Sequence, residues 1–429
     1  MFVLTFVLLS TTAATSSAQK PNKLEIEIWR EVLRRVEREL KQNYYDPTFN
    51  GIDIAARFKT AEAKMKNAAN MAELQSLVAD VLLDLNDTHT FFIPPDDGAR
   101  VQYGWRLKPV GPDCYVGAVR PGSDAWAKGL RPGDKVLSID GRLMDRDRVW
   151  LSNYRYYTLQ PERTMTLVVQ KPDQTMQQLI IEAEVSKGPG GLRYDFFEMN
   201  LKKPEAYLSN HPQFYELSKE VMVWRLPQFY LDEYALAEKF SRLKRRKTLI
   251  LDLRGNSRGF PETLPHFAGY FFDSNVKLAD RRGRKDLKPI VAKTKKENAF
   301  KGQLIVLIDG ESASSAEIFA RAVQLQKRGI VIGDRSSGSV MEGRLYQMHI
   351  GIMRSIPVAI SATFADVILP DGTKVERVGV TPDKLLVPAP QEMSMGHDPV
   401  LAYAASLAGI QLDPKKAGAL FPSEWWTPR

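Results

Sequence analysis

The sequence predicts a mixed α/β protein with α+β elements: an N-terminal helical segment, a β-rich module, and an α/β core on a largely parallel sheet. Three observations carry this. Residues 24–86 repeat apolar side chains at three- and four-residue spacing. Residues 100–185 break into short strands separated by Gly- and Pro-containing turns. From about residue 220, strand-like apolar runs alternate with helical segments, the pattern of parallel pairing. A chain of 429 residues is long enough for two or three domains.

The elements follow in order. MFVLTFVLLSTTAATSSAQK is apolar for about a dozen residues and then small and polar, too short to cross a bilayer. With Ser16-Ser17-Ala18 as a cleavage site it reads as a signal peptide, although a basic n-region is missing. An uncleaved anchor is the other reading, and no later stretch is apolar enough to span. The protein is therefore expected to be exported, periplasmic or secreted. The division is 1–18 signal, 19–97 helical segment, 98–186 β module and 187–429 α/β core.

LEIEIWREVLRRVERELKQNYY and MAELQSLVADVLLDL read as helices with a turn at 46–51 between them, and the second stops at LNDTHTFFIPPDDG. YGWRLKPV, CYVGAVRPG and KVLSIDGRLM read as strands, with one helical turn at 124–128 ended by Gly129. A helix-containing stretch precedes two more strands, MTLVVQK and QQLIIEAEV, and KGPGGLR serves as a linker. In the core, VMVWRLPQF, KTLILDLRG, QLIVLIDG and GIVIGD are strands, and 231–244, 261–272 and 316–327 are helices. A hairpin turn at Asp371-Gly372 and a closing helix in GHDPVLAYAASLAGI end the pattern.

One cysteine, Cys114, excludes an internal disulfide framework and a Cys-based zinc site, and CYVGAV makes it a strand residue. The net charge of +9 comes from scattered basic residues such as Lys244-Arg245-Arg246-Lys247. That is a solvated surface with loose attraction to acidic partners, and no nucleic-acid-binding motif accompanies it.

The chemistry centres on ESASSAEIFARAV, which follows the strand LIVLIDG and opens a helix. In parallel α/β sheets such strand-to-helix loops carry the reactive residues. Ser314 there could present its hydroxyl beside unpaired N–H groups and the helix dipole, which suit an oxyanion. Locally, Ser312, Ser314 or Ser315 could equally be a helix cap.

SASSAEIFARAV, LILDLRGN, GSDAWAKGLRPGDKVLSIDG and the DG…GVTPD segment together resemble the C-terminal processing (tail-specific) serine peptidases and their tricorn-like relatives. The resemblance covers nearly the whole mature chain. It implies Ser314 as nucleophile, three residues before Glu317, and the backbone N–H of Ser315 as first oxyanion donor. The second donor would come from the turn after LILDLRGN, where Ser257-Arg258-Gly259 keeps only Gly259 of the family's glycine run. Asp252 and Arg254 read as structural.

The base departs from the main branch. A lysine is expected 25 residues after the nucleophile and a glutamine four residues beyond it, and this chain has Ser339 and Gly343. A serine hydroxyl cannot replace an amine as general base. The tricorn-like branch implies a histidine from the N-terminal part instead, which matches His89 in LNDTHTFF. Asp87 or a distant carboxylate would orient it, Glu376 being the first candidate and Asp371 the next. His89 could also simply cap or pack at the end of its helix.

The segment around GLRPGDKVLSIDG resembles a PDZ domain, with Tyr103, Gly104, Trp105 and Arg106 in the place of its carboxylate-binding loop. That implies capture of peptide C-termini by backbone N–H groups and a strand edge. A rigid spacer that gates the site is the other reading. The resemblance implies a serine endopeptidase acting on protein or peptide substrates, with no metal or organic cofactor. The missing lysine, glutamine and glycines motivate the second possibility, a degenerate relative that binds peptides or apolar ligands.

Overall fold

The computed structural model describes residues 19–421 apart from 97, 188–190, 193–211, 261, 286 and 352–354. Residues 1–18, read from the sequence as a signal peptide, and most of the KGPGGLR linker lie outside the described residues.

Helix Lys23–Asn43 starts where the Asn22 side chain accepts from Glu25 N (2.9 Å) and Glu25 accepts from Asn22 N (2.8 Å). Its apolar stripe buries Trp29, Leu33, Val36 and Leu40. Helices Ile54–Met65 and Met71–Leu83 follow, capped by Asp53 and Asn70. The first of these fills the interval after the turn at 46–51, which the sequence reading covered only as generally helical.

The β module is an antiparallel sheet running Trp105–Val110, Asp113–Val119, Lys135–Ile139, Thr164–Gln170 and Met176–Glu182 in spatial order. The one-turn helix is Asp124–Ala127, capped by Ser123. Cys114 is buried on its strand. The chain enters and leaves the module through strands that pair with each other, Ala99–Gln102 with Glu184–Lys187.

The core sheet has the order Gln213–Glu216, Val221–Arg225, Thr248–Asp252, Gln303–Ile308, Ile330–Gly333, Lys384–Leu385, parallel except at its first pair. Both faces are covered, which is why its strands are continuous apolar runs. Leu249 and Leu251 face Phe240, Phe267 and Phe319 of helices Glu233–Leu243, Thr263–Ala268 and Ser315–Leu325. Ile250 and Ile305 face Leu401 of the closing helix Pro399–Leu407 and Ala417 of a further helix, Pro414–Leu420.

A second sheet, absent from the sequence reading, is antiparallel. Its long strand Ile356–Ile368 pairs with Phe91–Ile93, Glu342–Ile350 and Val276–Gly283. Val358 and Ile360 on that strand share one apolar cluster with Trp29, Val36 and Phe58. This sheet therefore fixes the N-terminal helices, and the loop after them, against the core.

Candidate active site

The strand Gln303–Ile308 delivers the chain into a tightly bonded turn. Asp309 accepts from Gly255 N (2.9 Å) and Glu311 N (3.1 Å). Ser312 is buried, donates to Leu253 O (2.8 Å) and accepts from Asp309 N (3.0 Å), so its hydroxyl is structural.

Ser314 sits at the helix N-cap with φ 56° and ψ −119°, and its hydroxyl makes no capping bond. A serine at positive φ costs on the order of 1–3 kcal/mol unless its surroundings enforce it. Here Ala313 N donates to Asn256 O (2.8 Å), while Ser314 N donates to Ser339 O (2.8 Å) and to a Glu317 oxygen (3.1 Å). The next donor, Ser315 N–H, opens the helix and has no protein acceptor among the described residues. Glu317 is fully buried, and burial pushes its carboxyl up to about 7 against four hydrogen bonds that pull it down.

The loop 336–340 connects this turn to His89. Ser339 Oγ lies 2.7 Å from Thr88 Oγ1, which lies 2.9 Å from His89 Nδ1. Glu376 spans the same junction, accepting from Thr88 N (2.8 Å) and Val340 N (2.9 Å). Asp87 accepts from the backbone N of His89 (2.9 Å) and from Thr363 Oγ1 (2.9 Å), so it holds the loop and not the ring. Burial lowers the imidazole pKa, with Glu376, Asp87 and Glu342 acting in the opposite sense. Among the described contacts His89 has no hydrogen bond to Ser314; the two meet through Ser339 and Thr88. Gly343 leaves space beside the histidine: a Cβ there would stand 3.1 Å from His89 Cβ and 3.0 Å from Ser361 Oγ.

Other sequence candidates lie apart. Gly259 is packed on Phe229, where a Cβ would come within 2.3 Å of Phe229 Cβ. The residues of that loop bonded to the Ser314 turn are Leu253, Gly255 and Asn256. Asp371 pairs with Arg321 (2.6 Å) at the surface, where Thr373 and Arg321 outweigh its slight burial and hold its carboxyl down to about 2. Asp252 and Arg254 form an ion pair that Asp398 extends. Tyr103 and Trp105 are buried in the β module, and Tyr103 Oη donates to Glu162 O (2.8 Å). Gly104 has φ +72°, its carbonyl accepts from Arg120 N, and Arg106 is exposed. Thr88 and Ser336 carry no motif signal. The spacing of Glu317 served only to locate Ser314.

A strained serine at a strand-to-helix turn, a free N–H beside it and a histidine on an adjoining loop are the parts from which a serine-type hydrolase site can be built. Residues 221–386 match peptidase family S41. The match to that family lies in the core segment, and the chain is a serine-type peptidase. It is 25% identical over 392 residues to carboxyl-terminal-processing peptidase 2, chloroplastic, of Arabidopsis thaliana, covering 84% of this chain and 68% of that one. It is 24% identical over 401 residues to the carboxyl-terminal-processing protease of a Picosynechococcus species, covering 88% of each. The putative tricorn protease homolog 2 of Streptomyces coelicolor is 24% identical over 403 residues, covering 89% of this chain and 32% of that one. The fold resembles mature CPAF (TM-score 0.64, 14% identity, 92% of this chain and 99% of that one). It also resembles the photosystem II D1 C-terminal processing protease (TM-score 0.52, 20% identity, 83% and 93%).

Proposed function

We propose that this protein is an exported endopeptidase of the tail-specific type, working through an acyl-enzyme on Ser314 with a histidine base. The observation that carries the reading is the Ser314 turn itself: positive φ, a hydroxyl unused as a cap, and an unpaired N–H next in the chain. In this mechanism Ser314 Oγ attacks the substrate carbonyl carbon while its proton passes to Nε2 of His89. The mechanism uses the tautomer in which Nδ1–H donates to Thr88 Oγ1 and the Thr88 hydroxyl to Ser339, which leaves the Nε2 lone pair free. The depressed imidazole pKa keeps that lone pair available at neutral pH. The oxyanion is stabilised by Ser315 N–H and the positive end of helix Ser315–Leu325, a type of donor whose loss costs about 10²–10³ in rate. His89 then protonates the leaving amine, and a water deprotonated by the same nitrogen releases the acid and regenerates Ser314. Glu376 acts through the backbone of Thr88, holding the histidine loop to residue 340. Ser339, a small residue where a lysine would otherwise supply the base, favours the tricorn-like branch.

The β module is proposed to receive substrate C-termini. With Tyr103 and Trp105 directed inward, the backbone of 103–106 and the outer edge of strand Trp105–Val110 are the groups offered to a peptide.

The test is fluorophosphonate labelling of the mature protein, of Ser314→Ala and of His89→Ala. Labelling at Ser314 that both substitutions abolish is the expected result. Labelling that survives His89→Ala would overturn the base, and none in the folded parent with a peptide present would point to a ligand-binding protein.

A further inference from the structure

We propose that Glu317 is a positioning residue for catalysis: its carboxylate joins the nucleophile turn to the loop that carries Ser339. This rests on the Ser314 reading above. Each carboxylate oxygen takes two donors. Oε1 accepts from Ser336 Oγ (2.5 Å) and Gly338 N (2.7 Å); Oε2 accepts from Ser339 N (2.8 Å) and Ser314 N (3.1 Å). An ionised carboxylate has about four lone-pair sites, so this one is saturated. Among the described residues no Lys, Arg or His pairs with it, although it is fully buried. A glutamate serving only as a helix cap needs the N-cap N–H alone. Three of these four donors instead come from a loop some twenty residues further along.

That loop is the link to the histidine. Ser339 O takes the N–H of Ser314, and Ser339 Oγ touches Thr88, which touches His89. Ser336 extends the junction by accepting from Val380 N (2.6 Å), on the segment that also carries Glu376. Gly338 (φ +73°) and Gly379 (φ +77°) let the two loops cross, since a Cβ at Gly379 would meet Ser336 O at 2.5 Å. Glu317 thus ties the Ser314 turn directly to the loop 336–339, and through Ser336 and Ser339 to the segments of Val380 and Thr88, without touching the reacting atoms.

The donors require the charged form, because a protonated oxygen would direct O–H at N–H. The groups facing Glu317 from its own helix and from the loop are Ser314, Ser336, Gly338 and Ser339, none charged; His89 and Glu376 connect to it only through Ser339, Thr88 and Val340. Burial sets its titration at about 7. Peptidase activity should therefore fall with acid near pH 7, before the His89 base, whose pKa is depressed, is itself protonated.

The experiment compares the parent with Glu317→Gln at pH 8, counting active sites by fluorophosphonate titration. Gln keeps the shape but turns one acceptor into a donor facing N–H. The expected result is a fall in kcat per titrated site of about 100-fold with KM within about threefold, and a residual acid limb displaced below pH 6.5. Unchanged kcat per titrated site would overturn the proposal, even if the melting temperature dropped. Ser336→Ala, which removes one donor and keeps the carboxylate, should give a smaller loss of the same kind. If the parent neither labels nor cleaves, the peptidase reading falls and the imidazole NMR titration of His89 decides the positioning role. A shifted His89 titration in Glu317→Gln upholds the role, and an unchanged one overturns it.

Discussion

Replacing Arg146 should damage the protein far more than an ordinary surface arginine would. This side chain bridges the β module and the core, its Nη1 donating to Asp334 Oδ2 of the core (2.8 Å) and to Gly111 O of the module itself (2.8 Å). Nη2 donates to Ser336 O (3.1 Å) and to Arg335 O. Both charged groups are buried, with 6% and 7% of their side chains exposed. Removing one partner of a buried pair leaves an uncompensated charge and costs about 3–5 kcal/mol. Unfolding entropy of about 2.1 cal/mol/K per residue over 429 residues is roughly 0.9 kcal/mol/K if the chain melts as one unit. Arg146→Met should then lower Tm by about 3–6 °C in calorimetry. Asp334→Asn, which leaves Arg146 three carbonyl acceptors, should cost about 1–2 kcal/mol. The double-mutant cycle should show a coupling above about 1 kcal/mol. A loss below about 1 kcal/mol for Arg146→Met, or no coupling to Asp334, would refute the claim that this pair clamps the module to the loop.

Two further perturbations test the site. Gly343→Ala places a methyl 3.1 Å from His89 Cβ and 3.0 Å from Ser361 Oγ. It should cost about 1 kcal/mol in stability but about 10–100-fold in kcat, because a displaced base fails at separations of about 1 Å; unchanged turnover would mean the space beside His89 is not needed. The second concerns pH. Glu317 is raised from 4.5 to about 7, so folding takes up a proton between those values and stability falls as pH rises through that window. His89 is depressed and acts oppositely just below 6.5, adding stability as pH rises. Urea unfolding at several pH values should therefore show Glu317→Gln becoming relatively more stable, compared with the parent, as pH increases from about 4.5 to 7. A constant difference between the two would contradict the shift.

What could be read from the sequence was whatever the chain writes locally. KTLILDLRG and QLIVLIDG are continuous apolar runs because helices cover both faces of their sheet. ESASS was conspicuous because a helix start with three serines offers more hydroxyls than capping needs. The antiparallel sheet was not legible. Its strand Glu342–Ile350 is half exposed and rich in polar side chains, and its partner Ile356–Ile368 pairs with Phe91–Ile93 across more than 260 residues of chain. Thr88, Ser336 and the role of Glu317 were hidden for the same reason. Each acquires meaning only through a partner delivered by a different element. The exchange at position 339 was visible as a lost amine. That its hydroxyl would meet Thr88 was not, since nothing local specifies the approach.

Under the proposed mechanism, that approach explains why a histidine base asks more of this fold than a lysine base would. A lysine at position 339 would lie on the loop already bonded to Ser314 through the Ser339 carbonyl, so nucleophile and base would share one local unit. His89 comes instead from the loop between helix Met71–Leu83 and strand Phe91–Ile93. Its place depends on the pairing of Phe91, Phe92 and Ile93 with Ser361, Ile360 and Ala359, and on Asp87 bonding to Thr363. Those contacts persist because Trp29, Val36 and Phe58 bury themselves against Val358 and Ile360, fully enclosed side chains each contributing about 1.5–3 kcal/mol. In that mechanism the helical segment serves the chemistry by fixing the loop that carries His89. Without its apolar cluster the histidine has no fixed position relative to Ser314, however well the nucleophile turn itself is built.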